Sequence, residues 1–243
     1  MRSCRWSTTP CHTMPDWLDT SPSAALSSSA KPPLLMSEFD TVLFDLGGVL
    51  VSDPWESLLL TPELGLADRL GLDRHLVERA GKELWGKYSL RVTHEGDYWR
   101  DLSAALEIDV ALQLVPQLEA GLLVADANAD AILHAIHAAG ITIGVVSETT
   151  SFWYPRQISL VDLDRYLEET RAFLSFRFGV GKDGAGRGLF EIAAEAVEPG
   201  RTLVIEDRRR NLERASSVGF EGFEYSIGSA PSVIEQLMKR VTA

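Results

Sequence analysis

Short apolar runs at both ends of the chain flank a long stretch of helical period. Thr41–Phe44 is apolar and β-branched, reads as a buried strand, and ends on Asp45 before a turn on Gly47-Gly48. From residue 55 to 125 the period is helical and no strand signal interrupts it. Leu58, Leu59 and Leu60 lead to Pro62, which is expected to open a helix over Glu63–Leu70. Leu76, Val77, Ala80, Leu84 and Trp85 keep helical spacing, as do Tyr98, Trp99, Leu102 and Leu106, then Leu112, Leu114 and Leu118. Aromatics at such spacing are core more often than pocket, so Trp85, Tyr88, Tyr98 and Trp99 are read as core first and pocket lining second.

Beyond the helical stretch, strands and helices alternate. An Ala-rich helix over 127–139 stops at Gly140, and Ile141–Val146 is a second buried strand delivering Ser147. A helix is expected from Leu163 to Thr170 and a short strand over Phe173–Phe178, followed by the glycine-rich loop GVGKDGAGRG around Lys182. A helix from Leu189 to Val197 precedes the strand TLVIED, which ends on Glu206-Asp207. A helix over Asn211–Val218, then Gly219, leads to a last strand near Gly222–Tyr225. This order predicts an α/β fold: a Rossmann-like parallel sheet core over 36–54 and 126–243, with an inserted α-helical cap over 55–125.

The 243 residues suffice for such a core and insert, and 45% hydrophobic with 24% charged residues is ordinary for a globular chain. A net charge of −12 argues against nucleic acid or an anionic membrane as partner and is compatible with a divalent cation. No apolar stretch approaches the ~20 residues that span a bilayer. Cys4 and Cys11 lack metal-type spacing and the remainder has no cysteine, so a reducing, cytoplasmic setting is the expectation. Residues 1–35, rich in Ser, Pro and Thr, read as a disordered extension without a secretory h-region. Arg2, Arg5 and the serines suggest a transit peptide, Asp16 and Asp19 count against one, and Met36 offers an alternative start. His134 and His137 share a helix face with no third ligand nearby, which reads as a solvated face rather than a metal site.

The chemistry gathers at strand ends. In open α/β sheets ligands bind beyond the carboxyl ends of the strands. Asp45, Ser147 and the pair Glu206-Asp207 occupy such ends, and two acids closing an apolar strand call for a cation or base beside them. Taken in order with Lys182, these residues resemble the haloacid dehalogenase-like (HAD) hydrolase superfamily. FDLGGVL resembles its first motif, VVSE its second, the Lys182 loop its third and VIED its fourth, over roughly residues 39–226. The start FDLGGVL is similar to a phosphatase branch with a helical, C1-type cap.

That resemblance implies a Mg²⁺-dependent phosphatase of a small, sugar phosphate-like metabolite, working through an aspartyl-phosphate. Asp45 would be the nucleophile, with Ser147 and Lys182 binding phosphoryl oxygens and Gly48 at the substrate. Asp45, the Gly47 carbonyl, Asp207 and Glu206 would form the metal site, Glu206 directly or from behind while facing Lys182. A monomer or homodimer is expected. Four departures stand out. Gly47 replaces a second Asp that serves as general acid and base, a role worth ~10²–10⁴-fold, and Asp53 is a candidate substitute. Glu148 follows Ser147 where Asn is common; the Lys182 loop lacks a proline; and Arg208, Arg209 and Arg210 follow the acidic pair, where they could bind a second substrate anion or pair with Glu148. The alternatives are a 2-haloacid dehalogenase, which also lacks the second Asp, and a non-catalytic HAD-like binding protein.

Overall fold

The computed structural model describes residues 37–110, 114–184 and 186–242. The chain divides into Met1–Leu34 and Leu35–Ala243, and everything below concerns the second unit. The reading of residues 1–35 as an extension, and Leu112 in the helical pattern, lie outside the described residues.

Five strands form one parallel sheet: β1 Thr41–Phe44, β2 Thr142–Ser147, β3 Leu167–Leu174, β4 Thr202–Glu206 and β5 Glu221–Glu224, in the order β3-β2-β1-β4-β5. The central strand is β1, with Phe44 in register with Val145 and Ile205, so Asp45, Ser147 and Glu206 emerge close together at one edge. Strands β1, β2 and β4 are buried on both faces, the physical reason their runs are continuously apolar.

Between β1 and β2 the chain forms five helices: α1 Pro54–Leu60, α2 Leu66–Arg69, α3 Arg74–Tyr88, α4 Glu95–Leu106 and α5 Val115–Leu122. They enclose their own apolar cluster around Trp55, Leu58, Tyr98, Trp99 and Leu118, separate from the two clusters that flank the sheet. The chain enters and leaves this insert side by side. Val51 bridges Ala125, and Ser52 donates from N to the Val124 carbonyl (2.8 Å) and from Oγ to the Leu122 carbonyl (2.7 Å).

The rest of the chain supplies α6 Ala129–Ala138, α7 Tyr154–Leu160, α8 Ser175–Phe178, α9 Leu189–Ala194, α10 Arg209–Ser217 and α11 Pro231–Thr242. Gly140, at φ +77, ends α6 as expected. His134 and His137 lie exposed on that helix.

Several expectations are corrected. The helix predicted over Leu163–Thr170 is a single 3₁₀ turn, Leu163–Arg165, and the strand predicted over Phe173–Phe178 begins earlier, at Leu167, giving way to α8 at Ser175. As the edge strand, β3 exposes Glu168, Glu169 and Thr170, so its first half carries no apolar run to read. Pro62 does not open a helix. Pro54 does, behind the capping carboxylate of Asp53, while Glu63 turns at φ 64 and only Leu66–Arg69 is helical. The C-terminal helix α11 was not anticipated. Among the described residues no helix is long and apolar enough to cross a membrane.

Candidate active site

Asp45 follows the last residue of β1, where its backbone N–H still joins the sheet by donating to the Ile205 carbonyl (2.9 Å). Its side chain is therefore rigidly placed. Oδ1 accepts from the Leu46 N–H at 2.8 Å and Oδ2 lies 2.8 Å from Lys182 Nζ. Burial is the largest influence on this carboxyl and pushes it up to about 6; Lys182 opposes the rise and Glu206 adds to it.

Lys182 is almost fully buried, with its ammonium between Asp45 Oδ2 and Glu206 Oε2 (2.5 Å). Burial alone would lower its pKa, but the two carboxylates outweigh burial and hold it above the ordinary lysine value, so it stays a cation. The sequence left its register open. The structure fixes it through Glu148, whose Oε1 accepts the Lys182 backbone N–H at 2.7 Å. A Cβ on Gly181 would stand 2.2 Å from that same oxygen, so a side chain there would push Glu148 off the Lys182 N–H. Glu148 thus shapes the lysine loop, and it does not pair with Arg208–Arg210.

Glu206 and Asp207 adjoin in sequence and differ in environment. Glu206 is fully buried and fully partnered: Oε2 holds Lys182, while Oε1 accepts from Asn211 Nδ2 (3.1 Å) and the Arg208 N–H (3.2 Å). Burial would raise its pKa, yet the charge of Lys182 and the hydrogen bonds from Lys182 and Asn211 hold it low. Asp207 has a buried oxygen, Oδ1, with no hydrogen-bond partner. Burial first, then the adjacent Glu206 and the charge of Asp45, push it up to about 7. Asp45, Glu206 and Asp207 each offer an oxygen within 4.8 Å of the others. No hydrogen bond among the described residues reaches the Gly47 carbonyl. An oxygen-only donor set with one unpartnered buried carboxylate oxygen fits a hard divalent cation. Asp45, Asp207 and the Gly47 carbonyl have capacity for it, whereas Glu206 is taken up by Lys182, Asn211 and the backbone.

Ser147 sits at the end of β2 beside Asp45, fully buried, and its Oγ has no partner of normal geometry. Gly48 adopts φ +82, and a Cβ there would stand 2.6 Å from Asp207 Oδ2, so glycine is required both by the backbone and by the neighbouring acid. Its N–H donates to the Val51 carbonyl (2.7 Å) and its carbonyl accepts from Ile227, so it offers no free donor to a substrate. Of the residues read from sequence, the fold brings Asp45, Ser147, Lys182, Glu206, Asp207, Gly47 and Gly48 into one crevice.

Asp53 and Arg208, named from the sequence without a fixed role, and Trp153, which was given none, complete the surroundings. Asp53, the N-cap of α1, returns to the crevice: a Cβ on Gly47 would lie 3.4 Å from its Oδ2. Burial, then Glu56, push its carboxyl up to about 7 against the pull of Arg208. Asp-Pro at 53–54 was the available signal, a helix cap tied to a fixed first turn. Arg208 joins the core to α1 through Asp53 (3.4 Å) and Glu56 (3.1 Å). Trp153, from the core segment after β2, is buried within the insert's cluster, edge-on to Tyr98 and Trp99, with its indole N–H on Glu119 (2.9 Å). Beside it Arg156 ties Glu95 (2.7 Å) and Glu119 (3.0 Å).

No protein-family model matches the chain, and no curated protein matches it by sequence. Solved structures match by shape. A protein predicted to be a HAD-like family hydrolase, from Porphyromonas gingivalis, superposes with a TM-score of 0.61 at 20% identity, covering 84% of this chain and 99% of its own. A HAD family enzyme from Bacteroides thetaiotaomicron, in complex with magnesium, gives 0.63 at 16% identity over 82% of this chain and 100% of its own. The same enzyme with magnesium and inorganic phosphate gives 0.56 at 16% identity, covering 81% and 98%. A dehalogenase gives 0.54 at 17% identity, covering 82% of this chain and 90% of its own. The sheet order and these superpositions agree: the chain shares the α/β fold of these HAD family structures.

Proposed function

We propose that the chain is a Mg²⁺-dependent phosphatase of a small phosphorylated metabolite, with Asp45 as nucleophile and the helical insert as a cap over the crevice. One observation carries this reading. A single buried carboxylate, Asp45, has a fixed ammonium on one side and, on the other, an acid with an unpartnered buried oxygen. That arrangement suits attack by an anion on an anion, where charge must be neutralised from both sides.

Asp45, Asp207 and the Gly47 carbonyl would hold the Mg²⁺, which when bound supplies positive charge to the phosphoryl oxygens. Lys182 and Ser147 would bind the remaining oxygens, Lys182 by charge and Ser147 through its unpartnered hydroxyl. Glu206 holds Lys182 in place. Asp45, oriented by Leu46 N–H and Lys182, attacks phosphorus; the P–O bond to the leaving group breaks and an aspartyl-phosphate forms. Water then cleaves the aspartyl-phosphate and regenerates the carboxylate. Gly47 offers no proton to the departing oxygen, and Asp53, which borders the same space with a raised pKa, is the group placed to donate one.

The test is phosphate release from an aryl phosphate and a panel of sugar phosphates, with Mg²⁺ or with chelator, for wild type and Asp45→Asn. Mg²⁺-dependent release lost in Asp45→Asn supports the reading. A dehalogenase-fold neighbour and the absence of a side chain at Gly47 favour one competing reading, in which Asp45 attacks carbon. Halide release from 2-haloacids in chelator, without phosphate release, would establish that competitor. Silence in both assays would favour a binding protein.

A further inference from the structure

Lys182 is held at both ends. Its ammonium stands between Asp45 and Glu206, and its backbone N–H donates to Glu148 Oε1 across 34 positions of chain. The loop that carries it has little stiffness of its own, with glycine at 179, 181, 184, 186 and 188. It closes on itself. The Gly181 carbonyl accepts from the Leu189 N–H (3.0 Å), and a Cβ on Gly188 would stand 2.7 Å from the Lys182 carbonyl and 2.9 Å from that of Gly181. Such closure shapes the loop without placing it against the sheet.

Two carboxylates reach the loop from outside it. At its far end Glu191 Oε2 accepts the Gly188 N–H (2.9 Å), and Glu191 Oε1 pairs with Arg214 of α10. At the lysine itself the holder is Glu148. Its own backbone is fixed on both sides: Ser147 before it belongs to β2, and after it the Thr149 N–H donates to Ser175 Oγ (3.0 Å), which donates back to the Thr149 carbonyl (3.1 Å). A carboxylate that accepts a backbone N–H makes a charge-assisted bond, stronger than a neutral one. Glu148 therefore ties the end of β2, where Ser147 stands, to the residue whose ammonium meets Asp45.

We propose that Glu148 is a positioning residue for hydrolysis: through the Lys182 N–H it sets where the ammonium stands relative to Asp45. A lysine side chain is flexible, so a loosened backbone lets its charge drift, and a misplacement of about 1 Å can cost ~10²-fold in rate. The inference rests on the reading of Asp45 and Lys182 as reacting groups of a phosphatase and adds to it a residue that acts through another. Glu191 serves as the contrast, since it holds the same loop at Gly188 and caps α9 without touching Lys182.

The experiment measures kcat and KM for an aryl phosphate in Mg²⁺, melting temperature, and exchange of the Lys182 amide proton by NMR, for wild type, Glu148→Ala, Glu148→Gln and Glu191→Ala. Glu148→Ala should lower kcat roughly tenfold to a hundredfold with KM changed by less than about threefold, the pattern of an interaction used in the transition state. Its melting temperature should stay near that of wild type, and its Lys182 amide should exchange about tenfold faster, the size of one lost hydrogen bond. Glu148→Gln keeps an accepting oxygen and should hold kcat within about fivefold of wild type. Glu191→Ala should lower the melting temperature while kcat stays within about threefold. A Glu148→Ala enzyme as fast as wild type, a Glu148→Gln enzyme as slow as Glu148→Ala, or equal losses of kcat in Glu148→Ala and Glu191→Ala would overturn the inference and leave the phosphatase reading standing. If wild type releases no phosphate, the phosphatase reading falls and the amide decides alone: exchange faster in Glu148→Ala than in wild type and Glu148→Gln supports the hold on Lys182, and equal exchange in all three refutes it.

Discussion

The strand-end crevice and the helical insert bury polar groups on opposite terms. In the insert, Trp153 gives its indole N–H to Glu119, Trp99 gives its own to Glu95 (3.1 Å), and Arg156 ties both acids; the rest is apolar packing. In the crevice, two carboxylates hold one lysine with a third acid beside them, Ser147 Oγ and Asp207 Oδ1 lack partners, and Asp45 and Asp207 have pKa values pushed up to about 6 and about 7. Partnered burial stabilises a fold, whereas unpartnered burial costs stability and persists where a ligand completes it. Within the insert the hydroxyls of Thr93 and Tyr98 are the exceptions among the described residues, buried without a partner.

Substitutions in the two regions should therefore separate stability from hydrolysis. The largest effect is expected at Lys182, because Lys182→Met leaves Asp45 and Glu206 uncompensated; urea unfolding should show a loss of about 3–5 kcal/mol. Asp45→Asn breaks the symmetry of that result. It removes one of two acids from a lysine that keeps the other, so hydrolysis should vanish with no fall in melting temperature. Trp153→Ala opens a cavity where core and insert meet and should cost about 3–5 kcal/mol in the same unfolding assay. A loss below ~1 kcal/mol there would show that the indole does not anchor the insert.

The pH dependence sharpens the comparison further. Asp45 (about 6), Asp53 and Asp207 (each about 7) lie above the ordinary aspartate value, so the native state binds more protons than the unfolded chain between about pH 4 and 7. Their stabilising contribution is complete below the unfolded pKa and declines as pH rises through the folded values. Glu206, held low, works in the other direction and loses its contribution only as acid takes the pH down through its folded pKa. Thermal melts in chelator should accordingly give a lower melting temperature at pH 8 than at pH 5.5, and Mg²⁺ should raise it more at pH 8, where it need not displace protons. The smallest effect concerns Asp53. Asp53→Asn should slow alkyl phosphates roughly tenfold or more beyond any effect on an aryl phosphate, whose leaving group needs no proton. Equal slowing of both would remove Asp53 from the proton path.

Much of the crevice was legible in the sequence because its strands are buried on both faces. Continuous apolar runs marked β1, β2 and β4, and a polar residue closing each run marked Asp45, Ser147 and Glu206-Asp207. The edge strand β3 was misread because its exposed half spells Leu-Glu-Glu-Thr-Arg, a pattern set by solvent rather than by a core. Side-chain partners were less legible than positions. Glu206 could equally have faced a metal or Lys182, and only the fold shows it holding Lys182. Arg208 and Trp153 touch residues far from them in sequence, so no local period or spacing announces the pairing of Arg208 with Asp53 or the seating of Trp153 in the insert's cluster.

Asp207 tests the account most directly, since its unpartnered oxygen is the feature that calls for a cation. Calorimetric titration of Mg²⁺ into wild type and Asp207→Asn at pH 7.5 should show saturable binding to the first and none to the second. Identical titrations of the two proteins, or no binding to wild type, would contradict a metal site at this sheet edge.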